Sequence, residues 1–217
     1  MTTGRLSDEQ RESLVIAADR YADEVHLALP YLATRGIDRA TAISRGLGYV
    51  KDPIPGHKPA TGRLAIPYIT DAGVVAMAFR CIADHGGEKC KTLGHSKYWK
   101  PKSQAAVLYG VQDAFMDCLD IHIAEGEMDA IILSALCGLP SLGVTGAQYW
   151  KPWWTLILKD FRRVFVYADG DEAGRLLADK IQREVGMSVI PILLPDGEDV
   201  NSLYLSHGAE HLRSLAK

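Results

Sequence analysis

The chain has 217 residues, 47% of them hydrophobic, a net charge of -3 and four cysteines. That is enough apolar material for one large core or two small ones. No run reaches the length of a bilayer span, no apolar segment follows the charges of "MTTGRLSDEQRES", and Cys81, Cys90, Cys118 and Cys137 show no disulfide-framework spacing. A membrane protein and a disulfide scaffold are thereby excluded, and a soluble protein of the cytoplasm, with no membrane partner, is expected.

In chain order, "SDEQ" is a capping-box pattern that opens a helix over Ser7 to Leu29, stopped by Pro30. "YLATRGIDRATAISRGLGYV" reads as a pair of short helices punctuated by Gly36 and Gly46. "KDPIPGHKPATG" is a loop, and "RLAIPYI", "TDAG", "VVAMAFR" are strand, turn and strand. An irregular basic span then runs to "VLYG".

From about Leu119 strands and helices alternate: "DIHIA" strand, "EMDAIILSALCG" helix, "PSLGV" strand, "QYWKPWWTLILK" helix, "RVFVYA" strand, "DEAGRLLADKIQREVG" helix, "SVIPILL" strand. Such alternation predicts a parallel sheet with crossover helices, hence an α/β protein whose site lies in the loops after the strand ends. Two domains are expected, an N-terminal α+β lobe over 1–117 and the alternating lobe over 118–217.

Charge is divided unevenly. Between His57 and Lys102 eight Lys or Arg face three acids, a net +5, whereas Asp113 to Asp129 holds six acids and no Lys or Arg. A basic surface in one segment and an acidic pocket in another suit a polyanion handled beside a metal ion.

Glu125 follows the first strand of the alternating lobe, Asp169 and Asp171 the third, and Asp199 lies in the loop after the fourth. A helix-capping role accounts for any one of them, Asp171 for instance, but not for their gathering at one edge. Gly126 and Gly170 sit between paired acids and permit tight reversals. Anions grouped without a cation repel one another, and oxygen-only ligands select Mg2+ or Mn2+ over zinc. A zinc site at Cys81, His85, Cys90 and His95 is not expected, because their spacing contains no close pair such as C-x2-C. The Trp cluster in "QYWKPWW" is expected to be packing.

"EGEMDA", "YADGDEAGR" and "LPDGEDVNSLYL" together resemble the TOPRIM domain of DnaG-type primases, a domain shared with topoisomerases and some nucleases. "YLATRGI", "RLAIPYITDAGVVAMAFR", Lys97-Tyr98 and "AAVLYG" resemble the upstream part of the DnaG catalytic core. The likeness covers about Tyr31 to Leu205.

It implies an N-terminal α+β lobe followed by a TOPRIM lobe, with Glu125, Asp169 and Asp171 catalytic and, with Asp129 and Asp199, metal-binding. It further implies a basic ridge of Arg63, Arg80, Lys91, Lys97 and Tyr98 for template and nucleotide. The activity implied is that of a DNA primase, a nucleotidyltransferase making RNA primers from ribonucleoside triphosphates on single-stranded DNA.

The chain departs from the family pattern in places. Glu127 stands where Tyr is common, at a position expected to face outward, and Asn201 stands where a second Asp is frequent. A small stand-alone or phage-like version, lacking the zinc ribbon and helicase-binding domain of whole DnaG proteins, is expected. A replicative helicase or a separate zinc-ribbon protein is therefore an expected partner. A TOPRIM nuclease and a noncatalytic DNA-binding accessory remain as alternatives.

Overall fold

The computed structural model describes residues 6–102, 104–145 and 147–217; residues 1–5, the start of the first expected domain, lie outside the described residues. The chain forms two compact units, residues 1–107 and 108–217.

In the first unit, Ser7 and Gln10 make the reciprocal capping box, with Ser7 Oγ accepting from the Gln10 N–H at 3.2 Å and Gln10 Oε1 from the Ser7 N–H at 2.9 Å. Helix α1 (Asp8–Asp23) stops earlier than expected and a 3-10 turn, Val25–Leu27, follows. Pro30 does not end a helix here. It lies in the first turn of α2 (Leu29–Thr34), where its missing N–H leaves no bond unmade. After α3 (Arg39–Ser44) come β1 (Gly48–Tyr49), β2 (Arg63–Thr70), β3 (Gly73–Cys81) and β4 (Tyr98–Trp99), an antiparallel sheet in the order β1-β2-β3-β4. Ala17 and Tyr21 of α1 pack on Ala65, Met77 and Phe79 of the sheet to form its core. The Tyr21 hydroxyl accepts the Ile54 N–H at 3.1 Å, which ties the loop after β1 to α1.

The second unit is a parallel sheet with the order β6-β5-β7-β8, formed by β5 (Asp120–Ala124), β6 (Ser141–Gly143), β7 (Arg163–Ala168) and β8 (Val189–Leu193). Between β5 and β6 lies α4 (Glu127–Ile131), continued by one π-helical stretch, Ile132–Leu136. The predicted helix over "QYWKPWWTLILK" does not form as one piece. Pro152 lacks the N–H that a continuous helix needs, so the segment breaks into 3-10 turns at Ala147–Tyr149 and Pro152–Trp154 and a short α5 (Thr155–Leu158).

Helix α6 (Glu172–Val185) lays Leu177, Ala178 and Ile181 on the sheet. A last helix, α7 (Val200–Leu215), follows the acidic loop and is interrupted by non-helical Gly208. Strands β5 and β7 are the central pair, with Ala124 opposite Tyr167. The chain leaves β5 toward β6 on one side and returns to β7 on the other. The carboxyl ends of β5 and β7 are thus a topological switch point, where open α/β sheets leave a crevice. Among the described residues, no helix is long and apolar enough to cross a membrane.

Candidate metal centre and basic strand edge

Glu125 and Asp169 are the first residues beyond β5 and β7, and therefore stand at the switch point. Glu125 Oε1 and Asp169 Oδ1 are buried with no hydrogen-bond partner. Burial, and then repulsion from Asp171, pushes the Glu125 carboxyl up to about 7. Burial pushes Asp169 up to about 8, with further contributions from Asp129, Glu125, Asp199 and Asp171. Every charged group acting on Asp169 is thus another acid. The other four acids expected to bind metal thus all lie near enough to Asp169 to act on its charge.

Capping and convergence prove compatible. Asp171 caps α6 by accepting the Gly174 N–H on Oδ1 at 2.9 Å, and Asp199 caps α7 by accepting the Ser202 N–H on Oδ1 at 2.7 Å. A cap occupies one carboxylate oxygen of two. Asp129 Oδ1 accepts the Asn201 N–H at 3.1 Å, so α4 is tied to α7 through a backbone donor, whatever side chain position 201 carries.

Glycine builds the close approaches. The loops after β7 and β8 are joined by Gly170 N–H to Glu198 O and Gly197 N–H to Gly170 O, both 2.9 Å. Gly174, absent from the residues singled out by sequence, lets α6 start against the acids: a β-carbon there would lie 2.3 Å from Asp169 O and 2.8 Å from Glu125 Oε1. The signal was available in "DGDEAGR", where a glycine in the first turn of a helix carries a propensity cost and so asks for a packing reason.

Glu127 corrects an expectation. It does not face outward but is fully buried, because α4 lies between β6 and α7 and all five of its residues are inside.

Two unpartnered buried carboxylate oxygens, on acids that burial and neighbouring carboxylates hold above their usual range, fit a hard divalent cation.

In the other unit, Arg63, Arg80, Lys97 and Tyr98 collect at the β3–β4 edge. Arg80 pairs with Tyr98 across the strands and donates to its hydroxyl; its guanidinium lies 5.2 Å from the Tyr98 ring centre and 5.7 Å from that of Tyr31. At 5% exposure, Arg80 is largely inside. Arg63 donates to the carbonyls of Ser96 and Lys97, at 2.9 and 3.4 Å. Lys91 and Lys97 are exposed on the β3–β4 connection.

The same connection overturns the spacing argument against a Cys/His cluster, for the ligand atoms of Cys81, His85, Cys90 and His95 all lie within 4.8 Å of one another. In the tryptophan segment, Trp150 and Trp154 are buried edge to face at 5.7 Å, and Trp153 is exposed.

No protein-family model matches the chain. The fold is that of the DnaG-type primase catalytic core. The structure of the zinc-binding and RNA polymerase domains of Aquifex aeolicus primase matches with a TM-score of 0.79 at 21% identity, over 97% of this chain and 61% of that one. A DnaG primase catalytic domain bound to single-stranded DNA matches with a TM-score of 0.72 at 19% identity, over 97% and 80%. In sequence, the DNA primase of Aquifex aeolicus (strain VF5) is 25% identical over 242 aligned positions, covering 97% of this chain but only 47% of that primase, so the chain spans about half its length. The Gene 57 protein of Mycobacterium phage D29 is 36% identical over 157 residues, 70% of this chain and 95% of that protein. The chain belongs to the family of that phage protein.

Proposed function

We propose that the chain is a DNA primase that joins ribonucleotides on a single-stranded DNA template by Mg2+- or Mn2+-dependent nucleotidyl transfer. The observation that carries this reading is the pair Glu125 and Asp169, each with a buried, unpartnered carboxylate oxygen, at the switch point of a DnaG-type core. Glu125, Asp169 and Asp171, with Asp129 and Asp199, would hold the cation. When bound, it would supply charge for the triphosphate and favour ionisation of the primer 3′-hydroxyl.

The chain's own residues do the rest. The Asn201 N–H fixes Asp129, and the caps to Gly174 and Ser202 fix Asp171 and Asp199. Preorganised ligands of this kind need little rearrangement as charge develops. Lys91 and Lys97 offer exposed charge for phosphates, with Arg63 and Arg80 holding the strand edge that carries them. The likeness to a DnaG domain bound to single-stranded DNA supports the choice of template.

The test is incorporation of labelled ribonucleotides on single-stranded DNA with Mg2+ or Mn2+. Short RNA products that vanish in Glu125→Gln and Asp169→Asn support the proposal. Metal-dependent cleavage of the DNA without incorporation would identify a nuclease instead.

A further inference from the structure

We propose that Cys81, His85, Cys90 and His95 form a zinc site that holds the long connection between β3 and β4 in place. This proposal stands apart from the carboxylate centre and from the primase reading.

The segment from Ile82 to Lys97 has no buried residue. Within it only Ile82, His85, Cys90 and His95 are half-buried, and all other positions are exposed. A loop of this length without an apolar core has little to offset the entropy of ordering it. What it has is a convergence of ligands. Cys81 ends β3, fixed by its register opposite Arg63 and by its N–H bond to Lys97 O at 2.8 Å. The turn at Gly86 and Gly87 returns the chain after His85, with Glu88 N–H bonding to His85 O at 3.1 Å. A second tight loop, closed by His95 N–H to Cys90 O at 3.0 Å, sets His95 beside Cys90.

Cys81 Sγ lies 3.3 Å from His85 Nε2 and 3.5 Å from His95 Nε2. A tetrahedral zinc with Zn–S of about 2.3 Å and Zn–N of about 2.0 Å has an S···N edge of about 3.5 Å. Two sulfurs and two imidazole nitrogens in this geometry select zinc among the common divalent ions. Two thiolates and Zn2+ sum to zero charge, which suits a half-buried position; each cysteine gives up its proton to solvent on binding. Tertiary register thus supplies the convergence that a C-x2-C pair supplies in short zinc motifs.

The metal would pin a loop bearing Lys89, Lys91 and Lys97. The experiment uses the full chain, kept reduced, stripped with a chelator and resupplied with zinc or cobalt. About one equivalent should bind, and cobalt should give the thiolate charge-transfer and tetrahedral d–d bands of an S2N2 site. Cys90→Ser and His95→Ala should lose most of the zinc, and Glu125→Gln with Asp169→Asn should lose none. Zinc should also slow tryptic cleavage after Lys89 and Lys91. Uptake below about a tenth of an equivalent, a cobalt spectrum without thiolate bands, or full zinc content in both Cys90→Ser and His95→Ala would overturn the proposal. The cobalt spectrum of the unsubstituted chain decides the matter even if the variants fold poorly.

Discussion

The α-carbon of Gly170 faces the backbone of Pro195 so closely that a β-carbon there would lie 1.8 Å from the Pro195 carbonyl oxygen. This approach lets the loop carrying Asp169 and Asp171 bond to the loop that leads to Asp199. Gly170 is needed for proximity, since its φ is not positive, whereas Gly126, at φ 132°, is needed for its backbone conformation. Gly170→Ala must therefore push the two loops apart. The expected result is a loss of about 1–3 kcal/mol of stability, as for other overpacked sites, with a weaker response of the melting temperature to Mg2+. Thermal melts with and without the ion check both parts.

The acids and most strands were legible in the sequence because each is local: an alternating run, a strand end, an Asp-Gly-Asp. The Cys/His cluster was not, because Cys81 is brought to His95 by strand register and loop turns that no spacing rule encodes. Glu127 was misplaced for a similar reason. A charged residue in a first turn ordinarily faces solvent, and only the packing of α4 between β6 and α7 puts this one inside. Pro152 gave a local warning of a broken helix, but the apolar run around it concealed the break. The final helix was hidden behind the acidic loop whose Asp199 caps it.

Burial separates two kinds of basic residue at the β3–β4 edge. Arg80 is nearly enclosed by Tyr31 and Tyr98, so Arg80→Ala should act on stability, by about 1–3 kcal/mol, through weakened packing and hydrogen bonding. Lys91 and Lys97 are exposed, so replacing both with Ala should lower the melting temperature less than Arg80→Ala does. If they neutralise phosphates, the double change should reduce the slope of log K against log salt for single-stranded DNA by about 1.4, or about 0.7 for each phosphate left without its lysine. Salt-dependent binding isotherms and thermal melts on both variants separate the two effects; an unchanged slope would remove the lysines from the interface.

Glu125, raised to about 7, and Asp169, raised to about 8, set the pH dependence of the metal-free protein. Unfolded, these acids lose their protons near pH 4; folded, they keep them to near neutrality or beyond. Between those limits the folded state binds more protons, so stability falls as pH rises from about 4 and levels off above about 8. His122 acts in the opposite sense at the acid end. Burial against Phe165 lowers it to about 4, so its contribution is present above about 6.5 and is lost as pH falls toward 4. Metal-free protein should therefore melt several degrees lower at pH 8.5 than at pH 6. Mg2+ should restore the difference, because the cation binds the ionised carboxylates and competes with their protons. Glu125→Gln and Asp169→Asn should raise the metal-free melting temperature at pH 8.5, by an amount on the order of 1–2 kcal/mol in stability, and should abolish the restoration by Mg2+. Calorimetry at the two pH values, with and without the ion, measures all of these quantities. A melting temperature that rises from pH 6 to 8.5 in the metal-free protein would show that the acids are ionised and held by groups other than a cation.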